Sequence, residues 1–503
     1  MTKSLKRISV YLFGLRLLRM AMSIVTVALS AKYFGITVER DIWVLVSAFL
    51  LTINLAIWGP INETFRTKFV FIREQEGEQE ALSKTASLLV FIVLGSLLVS
   101  LLIYLFPERL MQLIAPSVTS GEKHIFVKML FWLIPTFLIN ELITIGTSIL
   151  NAYESFYIPE VVNFFSGIIN ILCLIFLASL IGINSLIVST YLSIILLLII
   201  LLYYIHKKGI CLRRFGLTFS WKRVRPFVMF SIPFFIPYFV SQCNAVLEKS
   251  LSNLLGTGTV SMLDYARRFT DVLLGVLLSV LSAVLVPILS KHFSNGNRQE
   301  FGQVFREYIQ VVILLLSLTL PLLVGAALPL DTFFYFRGDI TMEVVRGIAL
   351  LTQLYGIAFI SVAFYLFFGL SLLAQNQGKK YALYGTSAQL MMIVIDLLFY
   401  KILGIYTFVI ALFISHSLMS LMMYRYLDLD NKGMISLYLW KCLSLLILLV
   451  VVQVGVSFCI PDVHVLVQLM FHLGILLVTL PLLAWLFGFN LKYYWMTLKA
   501  RMK

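Results

Sequence analysis

Asp264, Arg267, Arg268 and Asp271 stand at the head of a long apolar run, YARRFTDVLLGVLLSVLSAVLVPILSKHF, residues 265–293. Charge at membrane depth is costly and usually faces a partner or a polar path. A guanidinium there suits a phosphate or a carboxylate, which it grips through paired N–H donors. Two readings follow from the spacing. Asp264 reaches Arg267 and Arg268 at i+3 and i+4, and Asp271 reaches them from the other side, so the cluster could neutralise itself. Alternatively the acids orient an arginine kept for a substrate phosphate. Arg16 and Arg19 pose the same question in the first apolar segment. They share one helix face with no acid beside them, and either snorkel to water or meet an anion.

The remaining interior charges are few. Glu141, Glu248 and Asp396 are candidates for ion coupling, with Lys249 turned to another face than Glu248. Asp41, Glu63, Arg66 and Arg346 fall nearer the ends of apolar segments. Cys173, Cys211, Cys243, Cys442 and Cys459 are scattered, and the histidines form no ligand pattern, so no metal or cofactor is expected. Asp428-Leu429-Asp430 and Arg337-Gly338-Asp339 match known tripeptides but sit in short turns, where chance accounts for them.

These side chains must be positioned by membrane helices. The chain has 503 residues, 60% of them hydrophobic. Apolar runs of about 20 residues recur, and they read as helical spans rather than barrel strands. Fourteen are expected, centred near residues 22, 50, 95, 137, 170, 194, 240, 278, 318, 360, 391, 415, 448 and 474. The basic start reads as a retained first helix rather than a cleaved signal. The net charge of +15 concentrates in segments that fall on one side when fourteen spans alternate. That is the positive-inside bias, with both termini cytoplasmic, and it argues against nucleic acid as the partner. The densest run, HKKGICLRRFGLTFSWKRVRP, holds seven Lys or Arg and would anchor topology against anionic headgroups or meet a partner enzyme. The longest loops are expected near 66–84, 206–226 and 291–306, with 107–123 the largest outward connection. None holds a soluble domain or a catalytic constellation, so the chain reads as a transporter rather than an enzyme.

A weak repeat runs through the chain. YFGITVERDIW, from Tyr33, matches LLGTGTVSMLDYA, from Leu254; TSILNAYES, from Thr147, matches GLSLLAQNQ, from Gly369; and GINSLI, from Gly182, matches GIYTFV, from Gly404. The offset stays near 222 residues. Six spans per repeat is even, so the halves enter from the same side as parallel repeats, an arrangement that permits alternating access. The expected layout is a first lobe over 1–206, a basic linker over 207–226, a second lobe over 227–430 and two C-terminal helices over 431–503.

The segment from Ile232 to Asn297 resembles the corresponding part of the MurJ (MviN) lipid II flippase family, within the MATE-like, or MOP, exporter superfamily. The resemblance rests on Ser241-Gln242, the Gly256/Gly258 turn, Tyr265-Ala266, Arg268, Asp271, Gly275 and Pro287 to Ser290, with the Tyr33–Asp41 turn and the Asn151–Pro159 loop in support. It implies a multi-pass protein of the bacterial inner membrane. The headgroup of an undecaprenyl-diphosphate-linked glycan would enter a cavity between the lobes, with the tail in a groove made by the last two helices. Lipid II is the first expectation for the glycan. A capsule, O-antigen or exopolysaccharide unit is the alternative, and a MATE-type antiporter a more distant one. The resemblance makes Arg268 the phosphate-facing arginine and Asp271 its companion, with Arg16, Arg19, Asp41, Glu63 and Arg267 as further substrate-binding candidates. Partners implied are membrane lipids, a coupling ion (Na+, H+ or Cl−) and cell-envelope glycan synthesis enzymes. The chain departs from the pattern in several places. Thr26 and Val27 stand where a family arginine and acid are expected, and Ile53 and Asn54 where paired basic residues are expected.

Overall fold

The apolar runs fold as α-helices. The computed structural model describes residues 3–488 except 120, 154, 156, 211–217, 282–284, 431 and 461–462. In chain order the helices are α1 (Lys3–Phe34), α2 (Val38–Ile57), α3 (Gly59–Glu76), α4 (Glu78–Leu105), α5 (Pro107–Ile114) and α6 (Lys123–Ala152). Then come α7 (Tyr157–Ile181), α8 (Asn184–Lys207), α9 (Trp221–Leu254), α10 (Thr259–Val280), α11 (Val286–Ser294) and α12 (Arg298–Gly325). The last six are α13 (Ala327–Tyr335), α14 (Met342–Ala374), α15 (Gly378–Leu403), α16 (Tyr406–Tyr426), α17 (Lys432–Cys459) and α18 (Val465–Leu486).

Twelve of these, α2, α4, α6 to α9, α12 and α14 to α18, are long and apolar enough to cross a membrane. α1 and α10, with 32 and 22 residues, supply the length for two more at a rise of about 1.5 Å per residue. They are the helices that carry the interior arginines. Large apolar side chains stay exposed along the spans, as with Phe176, Ile236, Ile402 and Trp485, as a lipid-facing surface requires.

Short punctuation sets the helix ends. Thr37 caps α2 by accepting from the Arg40 N–H, and Asn297 caps α12 by accepting from the Glu300 N–H. The α7–α8 and α15–α16 turns each hinge on a glycine at φ +57°, Gly182 and Gly404, in the left-handed region that a side chain disfavours. Helix ends recur at one interval: α7 closes at 181 and α15 at 403, while α8 opens at 184 and α16 at 406.

The expected loops are in part helix. Residues 66–84 belong to α3 and α4 with a single break at Gly77, residues 291–306 to α11 and α12 with a break over 295–297, and 107–123 includes α5. Their polarity reports that they leave the hydrocarbon, not that they lose helical conformation. Of the basic linker, residues 211–217, including Cys211, lie outside the described residues, and α9 opens at Trp221.

The chain packs as two compact units, Met1–Ser261 and Met262–Lys503. In the first, α1 packs on α7, α7 on α8 and α8 on α6, while α2 and α3 pack on α6 and α9. Its core includes Phe65, Phe69 and Phe227, with Phe65 stacked on Phe227 at 5.4 Å. In the second, α14 packs on α16, α12 on α14 and α17, and α13 on α14 and α18. The first packing unit takes in α9, so packing and the sequence repeat divide the chain at different points.

Candidate functional site

In the second unit the charges collect on α10. Arg267 and Arg268 are half-buried, Asp264 likewise, and Asp271 is exposed. All four are engaged in contacts. The Arg267 guanidinium lies over the Tyr355 ring of α14 at 5.4 Å, a cation–π contact that helps hold it in place. His416 of α16 feels the same charge. Behind α10, Tyr265 stacks on Tyr335 of α13 at 5.1 Å, and the Tyr335 hydroxyl donates to the Tyr265 carbonyl at 3.1 Å. Tyr335 lies in the connection between α12 and α14. Burial, then the Asp331 and Asp264 carboxylates, hold its phenol well above the usual range, so it stays a donor. Asp331 is fully buried and neither of its oxygens accepts a hydrogen bond. Thr352 stands beside it, short of bonding geometry, and burial pushes the carboxyl up to about 8.

In the first unit the candidates do not converge. Asp41 is 2% exposed. It accepts from the Gly258 N–H at 2.6 Å, the Ser261 N–H at 2.9 Å and the Ser261 hydroxyl. A carboxylate on the first turn of α10 satisfies N–H groups that lack helical partners and favours the helix dipole. Arg40, its neighbour, is also buried. Glu63 is exposed and accepts from the Tyr238 hydroxyl of α9 at 3.2 Å. Arg19 pairs with Glu160 of α7 at 3.7 Å, so the anion it meets is a protein carboxylate. The Arg16 side chain lies outside the described residues.

The ion-coupling candidates are all buried. Glu248 is 6% exposed, Glu141 and Asp396 are 0% exposed, and Lys249 is half-buried. Glu141 of α6 accepts from the Asn62 Nδ2 of α3 at 3.1 Å, and the Asn54 carboxamide of α2 sits beside it. Among the described residues no group of three or more His, Cys, Asp or Glu could hold a metal ion.

Sequence reading missed Asn54 and Asn62 as partners of Glu141, and it missed Asp331 and His416. The asparagines carry no charge to draw notice. Asp331 lies in the short helix α13 between two long apolar segments, where an acid looks solvated in sequence. Polar residues on the apolar face of a helix were the available signal for the asparagines.

A family model described as lipid II flippase MurJ matches residues 30–480. A probable lipid II flippase MurJ of Buchnera aphidicola is 23% identical over 317 residues, 61% of this chain and 60% of that protein. Another, of Borreliella burgdorferi, is 22% identical over 306 residues, 58% of each. The chain thus spans about three-fifths of the length of these curated relatives. Among solved structures, a lipid II flippase MurJ in an inward closed conformation superposes with a TM-score of 0.75 at 21% identity. That match covers 96% of this chain and 99% of the other. A multidrug resistance MATE family transporter of the MOP superfamily, inward-facing, gives 0.63 at 13% identity, over 82% and 93%. At these identities the structural likeness is one of fold.

Proposed function

The chain belongs to the lipid II flippase MurJ family, and from that premise we propose that it turns a polyprenyl-diphosphate-linked glycan, lipid II first, from the inner to the outer leaflet by alternating access. The observation that carries the reading is the cationic pair Arg267 and Arg268 at the head of α10, in a chain whose spans otherwise hold few charges. The substrate's diphosphate is the anion such a pair suits, through charge-assisted hydrogen bonds. Arg268 contacts the phosphate. Tyr355 steadies Arg267, and Asp271 orients the pair. The polyprenyl tail stays in lipid, so only the polar headgroup needs a wet path. Both termini lie in the cytoplasm of a bacterial inner-membrane protein. Reorientation draws on an ion gradient or the membrane potential, worth roughly 2.3 kcal/mol per charge per 100 mV. No bond is made or broken.

A second reading, a capsule, O-antigen or exopolysaccharide unit as cargo, is favoured by one observation. Asn54 stands where a family basic residue is expected, and its carboxamide is turned to the Phe137 carbonyl and Glu141. The first reading loses a cationic contact there.

The test is complementation of cells depleted of their own lipid II flippase, with wild type and Arg268→Ala at matched expression. Rescue by wild type alone supports lipid II and the arginine. Rescue by both returns Arg268 to a structural role. Failure of a well-inserted wild type moves the cargo to another lipid-linked glycan.

A further inference from the structure

The α2–α3 break is gripped from three neighbouring helices, all in the first unit. Trp58, at the break, lays its indole on Gly95 of α4, where an added Cβ would stand 2.7 Å from the ring. Tyr238 of α9 lies on Gly59, where a Cβ would stand 2.6 Å away. From α6, Glu141 reaches across to both sides of the break. Asn62, in the first turn of α3, donates to its Oε2 at 3.1 Å. Asn54, in the last turn of α2, sits beside it while facing the Phe137 carbonyl at 3.5 Å.

The cluster is short of one hydrogen. Glu141 Oε1 and Asn62 Oδ1 are buried and accept no hydrogen bond. Two carboxamides supply the donors, against the oxygens of a carboxylate, two carboxamides and a backbone carbonyl. Among the described residues no cation offsets Glu141 either. On α2, Arg40 lies beside Asp41 near the other end of the helix. On α3, Glu63 accepts from Tyr238, Arg66 is exposed, and Arg73 pairs with Glu74. On α4, Lys84 holds Glu76 and Glu80, and Glu78 accepts from Tyr153. On α5, Glu108 pairs with Lys123 of α6 itself. On α8, Tyr191 donates to the Trp132 carbonyl, and His206 and Lys207 lie in the last turn. An ionised carboxylate buried without a cation carries a large solvation cost, which a bound proton removes. That proton also supplies the missing donor.

We propose that Glu141 is the binding site of a coupling proton, held against Asn62 and Asn54 at the α2–α3 break, and that its occupancy sets the angle between the two helices. With the proton bound, Glu141 both donates and accepts, and it draws the two carboxamides together. Without it, the carboxylate only accepts, and the asparagines must both turn donors toward it. The use of this motion to drive transport rests on the flippase reading above; the site itself does not.

The test needs no substrate. Spin labels are placed at Leu51→Cys in α2 and Phe71→Cys in α3, both exposed, in the full chain with its five native cysteines replaced. The pairwise distance is measured in lipid nanodiscs at acid and alkaline pH. The expected result is a shift in wild type and a single acid-like distance at both pH values in Glu141→Gln. Infrared difference spectra should show a protonated-carboxyl band on acidification that Glu141→Gln lacks. Asn62→Ala keeps the band and loses the distance shift. An unmoving wild type, or a Glu141→Gln that still moves, overturns the proposal. So does a distance that follows sodium at fixed pH, which would make the ligand a metal cation. If complementation fails while the pH shift persists, the cargo reading falls and the proton site stands.

Discussion

At an offset of 222 residues, Arg267, Arg268 and Asp271 of α10 fall on Leu45, Val46 and Phe49 of α2, all buried and apolar. The exchange also runs the other way. Asn54, Asn62 and Glu141 of the first repeat fall on Val276, Val284 and Ala363 of the second. One half carries cations suited to a phosphate; the other carries a neutral-or-acid cluster at a helix break. The turns between helices are alike, while the chemistry is placed on one side or the other. A repeated backbone therefore does not imply two equivalent sites. Under the two proposals above, one half holds the charged headgroup and the other senses the proton.

The comparison is broken most directly at Arg268. Arg268→Ala is expected to lower transport about 10- to 100-fold, the worth of a charge-assisted hydrogen bond of roughly 1.5–3 kcal/mol. Arg268→Lys should keep part of it, because the charge remains and the fork is lost. Flipping of a fluorescent polyprenyl-diphosphate probe in proteoliposomes reads both. An Arg268→Ala protein of normal rate would remove the division of labour.

Next is the polar cluster. Asn62→Val alone strips a buried carboxylate of its donor and should cost roughly 1–3 kcal/mol of stability. Replacing the whole cluster by apolar residues, with Asn54→Val, Asn62→Val and Glu141→Leu, should cost under about 1 kcal/mol, since no polar group is left stranded. Thermal unfolding in detergent separates the cases. A triple variant worse than the single one would show that the first repeat cannot take the second's solution.

Gly59 sharpens the contrast at the break, because its counterpart in the second repeat is the buried Leu281. Gly59→Ala drives a methyl into the Tyr238 ring and should cost about 1 kcal/mol, the lower end of overpacking, since a ring can turn aside. Adding Tyr238→Ala should relieve the crowding. The smallest effect is expected at Arg19 and Glu160, replaced in the second repeat by Ser241 and Ala382. Their separation is 3.7 Å and the Arg19 side chain is 43% exposed, so a double-mutant cycle should return a coupling under about 1 kcal/mol.

The helices were legible because apolar run length and glycine turns are local properties. Gly35, Gly182 and Gly404 mark helix ends in sequence as they do in space. The charge cluster on α10 was legible for the same reason, since its members lie within about two turns of one helix. The partners were not. Asp41 meets Ser261 across 220 residues of chain, and Glu141 meets Asn62 across 79. Periodicity reports which face of a helix is apolar, but it says nothing of which residue lies opposite. The helical course of residues 66–76 was hidden for another reason: hydropathy measures the solvent a segment prefers, and an amphipathic helix outside the hydrocarbon resembles a loop by that measure.

The turns at Gly182 and Gly404 bear on how the protein is made. Each joins two spans through a link of two residues, Gly182-Ile183 and Gly404-Ile405. Such a link is too short to let one helix cross while the other waits. α7 with α8, and α15 with α16, must therefore leave the insertion machinery as hairpins, each pair taking or refusing an orientation together. A lysine added beside either glycine would then shift both helices or neither, and a glycosylation tag placed beyond them would report the pair as one vote.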